Sequence, residues 1–115
     1  MEEPKPSVDP STFFDLDLRV GRVVAVEDFP EARRPAYRVT VDFGADLGRL
    51  ATSAQVTNYE QDELLGRLVV GVCNIGTRRV AGFESRFLVL GAVRADGEVR
   101  LLTPDADVDP GTPVA

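Results

Sequence analysis

The run D-L-D-L-R-V-G-R-V-V-A-V-E-D-F, residues 15–29, constrains the fold more than any other stretch. It is rich in Val and Leu and alternates at its start, the pattern of a strand. Gly21 sits in its middle, where a glycine marks a bulge or a sharp bend. A long first strand that bends at a glycine serves two sheets of a small barrel.

The following segments supply the other strands. Residues 36–43 alternate, with Tyr37, Val39, Val41 and Phe43 on one side and Arg38, Thr40 and Asp42 on the other. Before them, P-E-A-R-R-P (30–35) is a polar turn with a proline at each end. G-A-D-L-G (44–48) closes a turn into a third strand over 49–57. The one helix-like piece is N-Y-E-Q-D-E-L-L-G-R (58–67), with Glu60, Asp62 and Glu63 early, where a helix dipole favours them, and Gly66 as a stop. L-V-V-G-V-C-N-I (68–75) reads as a buried strand, 76–85 as a loop, and 86–93 as the next strand. Asp96-Gly97 signals a hairpin within 94–102. Pro4, Pro6 and Pro10 make residues 1–12 a loose arm, and 104–115 is a Pro-rich tail, leaving 13–103 as the domain. Five main strands with a short helix between the third and fourth give an all-β, five-stranded Greek-key OB-fold barrel with one short helix and extended termini. Other small Greek-key barrels fit the same periodicity.

Composition removes several function classes. Hydrophobic residues make up 43% of the chain, enough to build a core. Cys73 is the single cysteine, so no disulfide forms within the chain and a reducing cytoplasm is the expected compartment. No segment approaches the roughly 18 apolar residues of a membrane helix, and M-E-E-P-K-P-S-V-D-P has no apolar core of a signal peptide. The net charge is -6, but Glu2, Glu3 and Asp9 against Lys5 put -2 in residues 1–14, and Asp105, Asp107 and Asp109 put -3 in the last stretch. The body is nearly neutral, with no strongly basic face of the kind a nucleic-acid protein carries. A local basic patch remains open.

Catalytic groups are scarce. The chain has no histidine, the commonest general base and metal ligand. Cys73 lies in an apolar run with no partner to lower its pKa and reads as inert. Asp15 and Asp17 form a polar strand entrance. Asp105, Asp107 and Asp109 lack the glycine and terminal glutamate of a calcium loop and read as a solvated tail. No phosphate-cradling glycine motif occurs. An enzyme is not expected, nor is a cofactor or a metal.

What remains is a set of polar residues at strand ends and loops: Arg33 and Arg34 in the first loop, Ser53 and Gln55 at the end of the third strand, Asn74 at the end of the fourth, and Arg78, Arg79 and Phe83 beyond it. In an OB-fold the first and fourth loops flank one ligand face. That brings the two arginine pairs into one neighbourhood. Taken singly, each arginine reads as an exposed, solvated side chain; the case for a site is the convergence. Phe83, in a polar loop, either stacks on a ligand or plugs the barrel end.

These residues carry a resemblance. D-L-R-V-G, F-P-E-A-R followed by a proline, S-A-Q-V-T and the stretch 68–93 together resemble the tRNA-binding-domain superfamily of OB-folds, over about Asp15 to Leu102. The F-P-E-A-R and S-A-Q-V-T stretches resemble the CsaA-type, export-related chaperone branch, whereas synthetase-linked modules commonly read H-P-x-A-D-K-L in the first loop. The resemblance implies a cytoplasmic, non-catalytic homodimer whose terminal segments contribute to the interface. It implies that unfolded or exported polypeptides bind through Arg33, Arg34, Ser53, Gln55, Asn74, Arg78, Arg79 and Phe83. Two departures bear on the ligand: Asn74-Ile75-Gly76-Thr77-Arg78 stands where the branch has N-F-P-P-R, and Ser85-Arg86 where it has Ser-Glu. Three readings follow: a peptide-binding chaperone module, a tRNA or structured-RNA binder, and a dimerising scaffold with solvated arginines. The nearly neutral body favours the first.

Overall fold

The computed structural model describes residues 2–115. Nine strands and two short helices follow one another as α1 (Pro10–Phe14), β1 (Leu18–Asp28), β2 (Tyr37–Asp42), β3 (Arg49–Ala54), α2 (Gln61–Leu64), β4 (Leu68–Val72), β5 (Arg78–Val80), β6 (Phe83–Ser85), β7 (Leu88–Val89), β8 (Gly91–Val93) and β9 (Val99–Leu101). The main sheet is antiparallel throughout, in the order β3-β2-β1-β4-β7. It curls until β3 meets the end of β6 and the residues that follow it. There Ser53 N–H donates to the Ser85 hydroxyl (2.9 Å), the Thr52 hydroxyl to the Phe87 carbonyl (2.8 Å) and Arg86 N–H to the Ala51 carbonyl (2.8 Å). The result is the nearly closed five-stranded barrel of the OB type that the strand pattern implies.

β1 serves two neighbours, as its length requires. Leu18 to Arg22 pair with β4 and Arg22 to Asp28 with β2. The register slip lies between Val23 and Ala25, not at Gly21. Gly21 instead permits a close approach. A side chain there would collide with Val41 and come within 2.8 Å of the Phe43 ring and 2.9 Å of the Asp42 carbonyl oxygen. Its absence lets β2 fold closely across the first half of β1.

The alternation of β2 is realised. Val39, Val41 and Phe43 are buried with Val23, Ala54, Val56, Tyr59, Leu64, Val69 and Phe87, and Phe43 meets Phe87 edge-on at 5.0 Å. Leu18, Val20, Leu68, Val70 and Val72 form a second cluster, covered by Leu90, Val108 and Val114. β4 is therefore buried along its whole length, which explains its unbroken apolar run. The C-terminal tail completes this layer. Gly111 and Val114 N–H donate to the Val20 and Leu18 carbonyls (2.7 and 2.8 Å), and Val20 N–H donates to the Thr112 carbonyl (2.9 Å).

Local structure departs from the sequence reading in four places. The end of the expected loose arm (1–12) joins residues 13 and 14 in α1, because proline is tolerated at a helix start and the Asp9 carboxylate accepts from Ser11 N–H at 3.0 Å. The helix within 58–67 shrinks to one turn, Gln61–Leu64, whose Glu60 N–H donates to the Glu63 side chain at 2.8 Å. The expected loop over 76–85 contains the β5–β6 hairpin, turned by Ala81 (φ 47°) and Gly82 (φ 81°). Two successive positive φ values make a primed turn, and Ala-Gly lacks the Asn or Asp that advertises one. The expected strand over 86–93 divides at Leu90, whose N–H donates back to Val70 at 2.9 Å, so β8 leaves the barrel to pair with β9.

Candidate functional site

The loop between β1 and β2 (29–36), the far end of β3 and the β5–β6 hairpin enclose an open cavity of about 660 Å³. Arg33 and Arg34 form one wall, Arg78, Val80 and Ala81 the other, and Ser53 and Gln55 the floor; Glu31, Ala32 and Ala36 complete it. Five of the expected site residues thus meet: Arg33, Arg34, Ser53, Gln55 and Arg78. A second depression of about 450 Å³ adjoins it, sharing Ala32, Arg33 and Ala36 and continuing over Phe29, Pro30, Pro35, Tyr37 and Thr57.

Charge is unevenly spent around this groove. Arg79 and Arg86 both pair with Glu84, at 3.3 and 2.9 Å, outside the cavity. Arg86, the departure noted at the strand entrance, thus finds an acid two residues away. Arg94 and Arg100 share Glu98, Arg22 pairs with Asp107 and Arg19 with Asp17. Among the described residues Arg33, Arg34 and Arg78 have no carboxylate within ion-pair distance, and all three are exposed.

The remaining expected residues lie elsewhere. Phe83 is half-buried; it meets the buried Phe29 ring edge-on at 5.6 Å, and the Arg38 guanidinium lies over both rings, 4.5 Å from the Phe29 centroid and 5.0 Å from that of Phe83. Phe83 thus ties the hairpin to the first loop, with part of its ring left exposed. Asn74 lies outside the cavity. Its side-chain oxygen accepts from Asp17 N–H (2.8 Å) and its amide donates to the Asp15 carbonyl (2.9 Å), clamping the chain before β1.

Arg38, which the sequence pattern does not single out, packs beside the groove. It pairs with Ser53 across β2–β3, contacts Glu31 at 3.5 Å, and buries its Nε without a hydrogen-bond partner. Its place on the outer side of an alternating strand was readable. Its aromatic partners, 9 residues before it and 45 after, were not. Cys73 is half-buried, and burial, with Asp17 nearby, pushes its thiol up to about 11. A thiol so protonated is a poor nucleophile.

Residues 18–113 match the family model described as "Putative tRNA binding domain". The chain belongs to the tRNA-binding-domain family. It is similar to methionine–tRNA ligases of Porphyromonas gingivalis (37% identity, 89% of this chain, 15% of that protein) and Thermococcus onnurineus (41%, 86% and 13%). The chain thus spans about one-seventh of these relatives. Its fold matches crystal structures of CsaA chaperone proteins from Picrophilus torridus (TM-score 0.90, 42% identity, 95% of this chain) and Bacillus anthracis (0.91, 43%, 96%), covering 100% of each of those chains. The CsaA likeness of F-P-E-A-R and S-A-Q-V-T is borne out. Among the described residues no helix is long and apolar enough to cross a membrane.

Proposed function

We propose that this chain is a non-catalytic binding protein that holds extended segments of unfolded or exported polypeptides in the groove between the first loop and the β5–β6 hairpin, as a cytoplasmic chaperone. One observation carries the reading: the arginine-walled cavity runs on into a depression lined by Phe29, Pro30, Pro35 and Tyr37, so charged and apolar contacts follow one another along the groove, as the side chains of an extended segment require. The end-to-end match to CsaA chaperones supports it. A homodimer is part of the proposal, supported by Phe13, Phe14 and Leu16, which stay exposed beside the barrel. The alternative is tRNA binding, favoured by the family model and by the ligases that carry this domain. Against it stands the nearly neutral body, whose other arginines are mostly met by acids.

The test is fluorescence anisotropy with a labelled unfolded polypeptide and a labelled tRNA at two salt concentrations. Polypeptide binding with little salt dependence supports the chaperone reading. Tight tRNA binding that collapses with salt, with no polypeptide binding, replaces it.

A further inference from the structure

We infer that the groove selects polypeptide segments by a side-chain carboxylate: an Asp or Glu of the bound segment sits between Arg33, Arg34 and Arg78, with small apolar neighbours against Ala32, Ala36, Val80 and Ala81. This rests on the polypeptide reading above and specifies its ligand.

The argument starts from where positive charge is left over. Of the arginines around the hairpin, Arg79 and Arg86 are both engaged by Glu84. Glu31, the one acid of the cavity, contacts Arg38 at 3.5 Å. Of the five arginines without an ion-pair partner among the described residues, Arg49 and Arg67 lie elsewhere, and Arg33, Arg34 and Arg78 face one cavity, where their forked donors match a carboxylate. Ser53 and Gln55 add neutral hydrogen-bonding groups on the floor. The same distribution disfavours RNA. A phosphate backbone needs a continuous basic track of free donors, and beyond the cavity Arg79 and Arg86 are both held by Glu84. Bases need free aromatic faces; of the three nearby rings, Phe29 and Phe83 are engaged by Arg38 and by each other, and Tyr37 is half-buried with its hydroxyl donating to the Tyr59 carbonyl at 2.9 Å.

The test uses three labelled peptides, N-acetylated and C-amidated, of Ala, Ser and Val around a central Glu, Gln or Lys, titrated with the full chain. The Glu peptide is expected to bind about tenfold tighter than the Gln peptide, the ratio that one charge-assisted contact brings, and the Lys peptide weakest. The variant R33Q/R34Q/R78Q, altered only at exposed positions, is expected to keep its circular dichroism and lose the Glu preference. Equal binding of all three peptides overturns the carboxylate assignment while leaving polypeptide binding in place. Failure of these peptides and of a denatured polypeptide alike overturns both. Displacement of the Glu peptide by tRNA, with tRNA binding itself lost in the triple variant, assigns the arginines to phosphate instead.

Discussion

The Arg38 guanidinium lies over the Phe83 ring, 5.0 Å from its centroid, and so fastens the β5–β6 hairpin to the barrel strand that crosses beneath the groove. The same guanidinium covers Phe29 in the opposite wall. One side chain on β2 therefore spaces the two walls. Arg38→Ala removes two cation–π contacts, each worth about 0.5–1 kcal/mol at partly exposed sites. The expected loss in urea denaturation is about 1–2 kcal/mol, with faster amide exchange over residues 78–85. Arg38→Lys should recover little of this, because an ammonium lacks the planar face that both rings contact.

Arg33 and Arg34 are exposed and unpaired, so the fold owes them little. Arg33→Glu with Arg34→Glu should shift unfolding by no more than about 0.5 kcal/mol. The same pair of changes should abolish polypeptide binding by anisotropy. A double variant that binds as well as the parent would sink the assignment of this wall.

Asn74 provides the contrast. Its side chain closes two hydrogen bonds to the backbone of residues 15 and 17. Asn74→Ala is expected to destabilise by about 1–2 kcal/mol, since each such bond contributes about 0.5–1.5, and to leave polypeptide affinity unchanged. Denaturation and anisotropy on the same variant separate the two effects.

The C-terminal tail is fastened to β1 by three backbone hydrogen bonds and by Val114, which packs on the second cluster. Deleting residues 110–115 should cost about 3 kcal/mol, at about 1 for each bond. It also bares the edge of β1 from Leu18 to Val20, and an exposed edge pairs with other chains. The truncated chain should show stronger concentration-dependent association by analytical ultracentrifugation than the full chain.

Cys73 gives a pH prediction. Burial holds its thiol up near 11, above the ordinary value of 9.0. The fold therefore favours the protonated form. Its contribution to stability is fully present below about pH 9 and lost as pH rises through about 11. Alkylation by iodoacetamide should be slow at pH 8 and accelerate steeply only as the solution approaches that range; rapid labelling at pH 8 contradicts the burial argument.

The sequence by itself determined the main strands and the faces they bury. The Val-rich run of β1, the strict alternation of Tyr37 to Phe43 and the unbroken apolar β4 each encode burial through periodicity, a local property readable without a partner. The shortage of a general base was equally plain, and so was the meeting of the first and fourth loops once the barrel was read. Tertiary structure alone decided how each polar side chain is used. Arg79 and Arg78 are neighbours in sequence, yet one pairs with Glu84 and the other is left facing the cavity, because hairpin pairing places Glu84 opposite Arg79. Asn74 reads as a ligand contact in the sequence, and Phe83 as either a ligand contact or a plug; the fold gives each a partner within the chain, the backbone before β1 for Asn74 and Arg38 for Phe83. The tail that read as extended lies along β1. In each case the outcome depends on a contact closed with a distant stretch of chain or across a hairpin, and a side chain's charge or polarity carries no record of which partner folding brings to it.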